Sequence, residues 1–552
     1  MTRGLRAFKR WMKSHGVEYS DALLFTDGVE GIGVKTLCDL SVGDLIATIP
    51  KSACLTIKTS MAQNFIEDVG IGDSLGLAVA LMFELSIGQE SNWYGYLQLL
   101  PKKEPVPLVW NLEEVDTLLV GTELHKAVKY DKSLLYEDWK ECIVPLVAAK
   151  QLNLNENYFG VEQYFAAKTL IASRAFEIDE YHGSGMVPLA DLFNHKTGAE
   201  DVHLTSMSAN SGSEDDDVRD NGGNDDDDRG SNDGGFDDDA KLSIEELVVD
   251  SFGDIFENSG IQKNHKTMAT ASDENHLNGH ILESYSSAGD DPDALGMILI
   301  KNVKAGNEVF NTYGTLGNAA LLHRYGFTEP ENPFDIVNID LNLVMKWAKG
   351  SFSNRYSRSR ISLWKKLGCS SCSNQDSEYF EVTFSGTPQL DLMVLLYIFY
   401  LPDEVYCKMD LSLTTRMKVD ISLSSPMNDE LPSSIVDGVH NAMDIIFSAE
   451  SGGSLPFSRE TEDMATQRVD RLLTKHVCNA LISLADIREG FYGASSLEED
   501  MHVLKGCCRL REPKRYHSLS LRVCERSILK KMRIFASKSG CIRKGKKIYF
   551  AA

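Results

Sequence analysis

The chain has 552 residues and a formal net charge of −25, with 43% hydrophobic and 25% charged residues. That composition suits a globular protein of about two to four domains with cores of ordinary size, and the acidic excess excludes one that grips nucleic acid with its whole surface. The charge is uneven, for Ser213 to Asp239 holds 13 acidic and 2 basic residues, whereas Met501 to Ala552 holds 15 basic and 2 acidic ones.

In chain order, Leu5 to Lys13 puts Leu5, Phe8 and Met12 on one helical face, with Gly16 as the stop. This basic amphipathic start has the look of a transit peptide, yet it runs straight into the first strand and leaves little to cleave. A cytoplasmic or nuclear location is therefore expected. Ala22 to Phe25 reads as a strand and Thr26-Asp27-Gly28 as a turn. Val29 to Leu37 and Asp44 to Ile49 read as further strands. Helical segments follow at Leu75 to Ser86, Glu113 to Ala127, Leu134 to Leu146 and Val161 to Ala172. The aromatic run Trp93-Tyr94-Gly95-Tyr96 among them reads as core. Val202 to Leu204 is a strand whose partner is expected at His280 to Ser286. Between them lie Ser, Asn, Asp and Gly with at most one weak helix, Leu242 to Phe256. Such composition cannot bury enough apolar surface to order itself, so an acidic, disordered insertion is expected at about 206–278.

Met297 to Ile300 and Glu308 to Thr312 read as strands, and Tyr313-Gly314 as a chain reversal. Gly317 to Tyr325 then reads as a short helix with Leu321, Leu322 and Tyr325 on one face and Gly326 as its stop. Phe334 to Leu343 looks like a connecting strand or two. Beyond it, Leu390 to Tyr400, Val436 to Ser448, Thr466 to Arg488 and Glu498 to Arg509 carry helical periodicity. The longest apolar run, Leu392 to Leu401, has ten residues, against about twenty needed to cross a membrane. Cys369-Ser370-Ser371-Cys372 lacks a second pair or histidines at ligand spacing, so no metal is expected and the thiols should be reduced.

Four pieces carry the chemistry: Asp27-Gly28-Val29-Glu30-Gly31-Ile32-Gly33-Val34, Ser173-Arg174-Ala175-Phe176, Met186 to His195, and Asn311 to Phe327. In this order they resemble the SET-domain protein methyltransferases, in the branch of the Rubisco large-subunit lysine methyltransferase and its SETD-type relatives. The resemblance is good over roughly residues 5–340 and loose beyond, and the Asn-His pair with the later Tyr-Gly is its specific part. It implies an α+β fold of small sheets with a knot-like crossing, split by a helical insert and followed by an all-helical domain. The expected divisions are 1–74 and 173–330 for the SET domain, 75–172 for the insert, and 335–552 for a substrate-binding domain with a basic tail.

The resemblance implies an S-adenosylmethionine-dependent protein-lysine N-methyltransferase acting on a lysine of a protein substrate. Glu30, Gly31, Ile32, Arg174, Asp191, Asn194, His195, Tyr313 and Tyr325 would hold the cofactor, with Arg174 forking onto its carboxylate. Phe176, Ala190 and Tyr325 would wall the lysine channel, and Tyr313 would be the catalytic residue. No membrane and no direct nucleic-acid partner is expected, although the basic run Arg543-Lys544-Gly545-Lys546-Lys547 keeps a scaffold role open. Two further readings are a histidine-methylating enzyme of the same fold and a non-catalytic binding module. The aromatic at Phe176 points away from the first, and the presence of Tyr313 and Asn194 points away from the second.

Overall fold

The computed structural model describes residues 2–28, 31–149, 154–206, 293–369, 379–423, 442–449 and 468–542. Glu30, the acidic run, His280 to Ser286 and Arg543 to Lys547 lie outside the described residues.

The first helix, Arg3–Ser14, starts at Thr2, whose side chain accepts the Leu5 N–H, and it buries Leu5, Phe8, Trp11 and Met12. An antiparallel sheet follows in the order β1 (Glu18–Tyr19), β4 (Leu45–Pro50), β8 (Ala294–Leu299), β7 (Val202–Ser206). β7 pairs with β8, with Val202 opposite Leu299 and Ser206 opposite Leu295; the partner expected at His280 to Ser286 lies outside the described residues. β8 is the more apolar strand, with five of its six residues buried, so it takes the inner position. β2 (Leu23–Gly28) and β3 (Gly31–Thr36) form a hairpin in which Asp27 faces Ile32. The expected turn at Thr26-Asp27-Gly28 is thus strand, and the reversal lies two residues later. β5 (Ala175–Asp179) and β6 (Gly183–Met186) form a third small sheet.

The insert's helices pack into the same core as these strands. Leu77 to Met82 of the helix Asp73–Ile87 are buried with Ile49, Met186 and Met297. Two expected helices are broken. Glu113 to Ala127 divides into Leu112–Leu118, which opens with a capping box between Asn111 and Glu114, and Leu124–Asp138. Gly121 sits between them at φ +80°, and a Cβ there would meet the Phe491 carbonyl oxygen at 2.5 Å. The chain must pass the C-terminal domain too closely for any side chain, so the helix stops. Leu134 to Leu146 is interrupted at Trp139–Ile143, where the helix widens and its hydrogen bonds span five residues instead of four, just before Pro145. Proline lacks an N–H and its ring presses on the carbonyl four residues back, and widening relieves both.

The chain from Glu308 to Asn311 is not a strand but a pair of isolated bridges. Glu308 pairs with Lys35 of β3, and Asn311 runs parallel to His195. The segment is threaded between two chain stretches far apart in sequence, too short for a ladder on either side. Helix Asn318–Tyr325 follows, capped by Gly326 at φ +78°.

A second core gathers β9 (Ile336–Asp340), β10 (Tyr379–Thr383) and the C-terminal helices. Phe334 to Leu343 gives one strand and then enters the helix Leu341–Ser351. Thr466 to Arg488 is broken before Thr474, whose side chain caps the helix Lys475–Glu489. The segment expected as a basic tail is largely one helix, Pro513–Ile542. Several of its bases are paired, among them Lys514 with Glu114, Arg522 and Arg526 with Asp500, and Arg533 with Asp486. The helix runs from the second core, where it buries Ile528, Leu529, Met532 and Ala536, to a third, smaller cluster. Leu521 packs with Leu322 of the tyrosine helix and with Val115 and Val128 of the insert. Among the described residues, no helix is long and apolar enough to cross a membrane.

Candidate active site

The helix Asn318–Tyr325 is anchored at its first residue. Asp335 accepts from the Asn318 N–H at 2.6 Å and from its amide at 2.9 Å, and Asn318 also donates to the Glu329 carbonyl at 2.8 Å. A carboxylate at a helix N-terminus satisfies free N–H groups and opposes the helix dipole. Further along, Thr328 donates its N–H to His517 Nδ1 at 3.0 Å, which binds this segment to the C-terminal helix. His323 faces Asp131 of the insert at 2.8 Å. These contacts hold Tyr325 where its ring stacks on Tyr313, with centroids 4.2 Å apart.

Tyr313 is fixed on its other face by His195, stacked at 5.0 Å. The Tyr313 N–H donates to His195 Nδ1 at 3.0 Å, so that nitrogen carries no proton. Burial also lowers the His195 pKa, and the imidazole is neutral. The His195 side chain therefore builds the tyrosine turn, a task beyond the cofactor-holding role expected for it. The Tyr313 hydroxyl donates to the Phe193 carbonyl at 3.4 Å. Burial, reinforced by Tyr325, holds its pKa well above the ordinary phenol range, so it remains a donor.

Asn194 is exposed. Its carbonyl accepts from the Asn311 N–H at 2.9 Å, and its amide nitrogen donates to Glu308 Oε1 at 2.8 Å. Immediately upstream, Leu189 is fully buried at φ +80° and ψ −49°, a strained conformation for a branched residue. It folds the chain so that Ala190 is buried and the Asp191 side chain points inward.

Asp191 and Arg174 belong to one buried group. Arg174 Nε donates to Glu104 at 2.7 Å, and its Nη1 lies 3.4 Å from Asp191 Oδ2 and 3.3 Å from the Asp191 carbonyl. Tyr96 donates its hydroxyl to Asp191 Oδ2 at 2.9 Å. Asp191 Oδ1 is buried without a hydrogen-bond partner among the described residues. Desolvation raises the Asp191 pKa despite Arg174, because the carboxyl is wholly removed from water. Arg174 thus has two of its three nitrogens committed to protein carboxylates, and Nη2 is the one that makes no hydrogen bond among the described residues.

Phe176 lies half-buried on β5 against the first core, and Gly31 and Ile32 lie at the turn end of the β2–β3 hairpin. Three residues of this neighbourhood escaped the sequence reading. Tyr96 was legible only as one aromatic in a run assigned to the core. Glu104 is 70 residues from Arg174 in sequence and follows two lysines, so nothing local marks it. Glu308 stands five residues before Tyr313, in a segment read simply as strand.

The geometry invites comparison with known proteins. The chain aligns with a crystal structure of the SET domain of LSMT bound to Lysine and AdoHcy at a TM-score of 0.56, with 17% identity, covering 97% of this chain and 91% of that one. A Rubisco LSMT structure bound to AdoMet aligns at 0.55, with 16% identity, covering 100% and 95%. The fold is that of the Rubisco LSMT structures. In sequence, the chain is similar to ribosomal lysine N-methyltransferase 3 of Saccharomyces cerevisiae, 26% identical over 374 residues, covering 61% of this chain and 63% of that protein. It is also similar to N-lysine methyltransferase setd6 of Xenopus laevis, 23% identical, covering 61% and 60%. The chain thus spans less than two thirds of the length of these relatives. No family model matches it. The SET branch expected from the four motifs is the one to which these relatives and structures point.

Proposed function

We propose that the chain is an S-adenosylmethionine-dependent protein-lysine N-methyltransferase. The observation that carries this reading is the Tyr313 phenol, clamped between His195 and Tyr325 and kept protonated beside the buried Arg174–Asp191 pair. The names of the relatives and the lysine and AdoMet in the titles of the similar structures support it.

The residues present fit the cofactor. Arg174 keeps Nη2 for a carboxylate, Asp191 Oδ1 has no donor among the described residues, and none of the described residues comes within 4 Å of the place a Cβ on Gly31 would take, its chain neighbours aside. Arg174, Asn194, the His195 backbone and the backbone at Gly31 and Ile32 would hold it, with Arg174 offering one nitrogen, since Nε and Nη1 already serve Glu104 and Asp191. When bound, it supplies an electrophilic methyl group on a sulfonium.

The chain's own residues have three tasks. A lysine amine must be neutral to act as a nucleophile, although its pKa in water is about 10.4. Phe176, Ala190 and Tyr325 would surround it with apolar surface, which disfavours the ammonium. The Tyr313 ring, immobile between two other rings, holds one direction of approach, a proximity effect. Its hydroxyl, a permanent donor at a fixed place, orients polar groups at the reacting centre without rearranging. The substrate is a protein whose lysine reaches this channel, and the acidic excess of the chain would draw a basic one.

The test is incubation of the purified chain with labelled S-adenosylmethionine and cell proteins, followed by mass spectrometry of the labelled peptides. Methyl-lysine is expected. Label confined to histidine would establish the other activity of this fold, and absence of both label and cofactor binding would leave only a binding module.

A further inference from the structure

Glu308 lies in the chain segment threaded between β3 and the Asn194–His195 stretch. It is half-buried, and its Oε1 accepts from Asn194 Nδ2 at 2.8 Å. Directly beneath this contact is Gly33 of β3. A Cβ on Gly33 would lie 2.6 Å from Glu308 Oε1 and 3.0 Å from Asn194 Nδ2. Gly33 has ordinary strand φ, so its backbone does not call for glycine. The space above its Cα is what the contact occupies. Three stretches, around residues 33, 194 and 308, therefore meet at one carboxylate–amide hydrogen bond.

We propose that Glu308 is a positioning residue that fixes which way the Asn194 carboxamide faces, and that Gly33 supplies the room for it. This rests on the reading of Asn194 as part of the S-adenosylmethionine site. An ionised carboxylate can only accept hydrogen bonds, so the amide must turn its nitrogen toward Glu308. The carboxamide is planar, which sends Oδ1 to the opposite side. Asn194 thereby turns its acceptor away from Glu308, toward a ligand, with one of its two amide N–H groups already engaged. An exposed asparagine without such a partner would sample both orientations and several rotamers, and binding would have to select one of them. The ordering is carried out in advance by a residue that need not touch the ligand. The backbone ties keep the geometry short-ranged, since the Asn194 carbonyl accepts from Asn311, three residues beyond Glu308.

Four variants test this by calorimetric titration with S-adenosylmethionine, alongside initial rates. Glu308→Ala frees the amide, and the dissociation constant should rise roughly tenfold, the scale of one lost hydrogen bond to a charged group. Glu308→Gln can still offer an oxygen to Nδ2 and should stay within about threefold of the parent, a fraction of that same loss. Gly33→Ala pushes the two side chains apart from the other side and should weaken binding as Glu308→Ala does, with kcat at saturating cofactor retained in both. In the double variant Glu308→Ala/Asn194→Ala the two losses should not add, because one acts through the other. Thermal melts identify any variant that fails to fold, and either member of the Glu308→Ala and Gly33→Ala pair suffices to read the effect. Parent-like affinity in Glu308→Ala, a Gln variant as weak as the Ala variant, or full additivity would each overturn the proposal. If the parent chain itself fails to bind S-adenosylmethionine, the functional reading falls and this inference with it. If the parent binds and the variants are indifferent, only the positioning role falls.

Discussion

Replacing Tyr313 by Phe removes one oxygen and keeps the ring. The ring stack on His195 at 5.0 Å and on Tyr325 at 4.2 Å survives, as does the backbone bond from residue 313 to His195 Nδ1. The lost hydrogen bond, to the Phe193 carbonyl, is 3.4 Å long. A bond of that length is weak, so the folded state should lose at most about 1 kcal/mol. Turnover should respond very differently. An oriented donor acting at the reacting centre contributes on the order of 10²-fold or more to kcat, about 2.7 kcal/mol. Because burial keeps the phenol protonated, the deficit should not vary with pH across the assayable range. Single-turnover methyl transfer from labelled S-adenosylmethionine would give the rate, and calorimetry the cofactor affinity, which should hardly change. A variant that turns over like the parent would refute the assignment of Tyr313. Equal losses of affinity and rate would make it a binding residue instead.

Arg174→Lys keeps the charge, but one ammonium cannot serve Glu104 and Asp191 together, and chemical denaturation should show a loss of about 1–3 kcal/mol; an unchanged midpoint would mean that the pair is idle. Tyr96→Phe takes the hydroxyl donor from Asp191, whose other oxygen is already bare, and should cost about 1.5–3 kcal/mol, the range for bonds to charged groups, as read by the same melt. His517 accepts the Thr328 N–H, and desolvation with help from Arg509 lowers its pKa to about 4. The unfolded histidine binds a proton near pH 6.5, so stability should be full above that pH and decline as the pH falls toward 4, by roughly 3 kcal/mol in all. His517→Gln should flatten this part of the pH–stability curve, and an unaltered slope would place the titration elsewhere.

How much of this was legible beforehand follows from the range of the forces involved. The tyrosine helix was readable to within one residue, read from Gly317 and found from Asn318 with Gly326 as its stop, because caps and stops are local chemistry. The apolar helix Asp73–Ile87 and the cores were readable from apolar patterning for the same reason. The breaks at Gly121 and before Pro145 were harder. Pro145 is visible in the sequence, but only the nearness of Phe491 explains why the chain halts at Gly121. The β7–β8 pairing went unread because both strands flank a long acidic stretch, and alternation alone does not choose between successive candidates for a partner.

The candidate site divides in the same way. The resemblance carried by the four motifs singled out Arg174, Asp191, Asn194, His195, Tyr313 and Tyr325 as candidates, since each occupies its place in a motif. Their division of labour came only from the tertiary structure. His195 turns its ring to Tyr313, Arg174 is held by Glu104, Asp191 is held by Tyr96, and Asn194 by Glu308. Those last three partners lie 70 to 114 residues from the groups they hold. A buried charge or amide requires a hydrogen-bonding partner, and the sequence announces that requirement wherever such a residue sits in an apolar run. Which residue meets it depends on how the insert, the threaded segment and the small sheets pack against one another, and no local pattern encodes that.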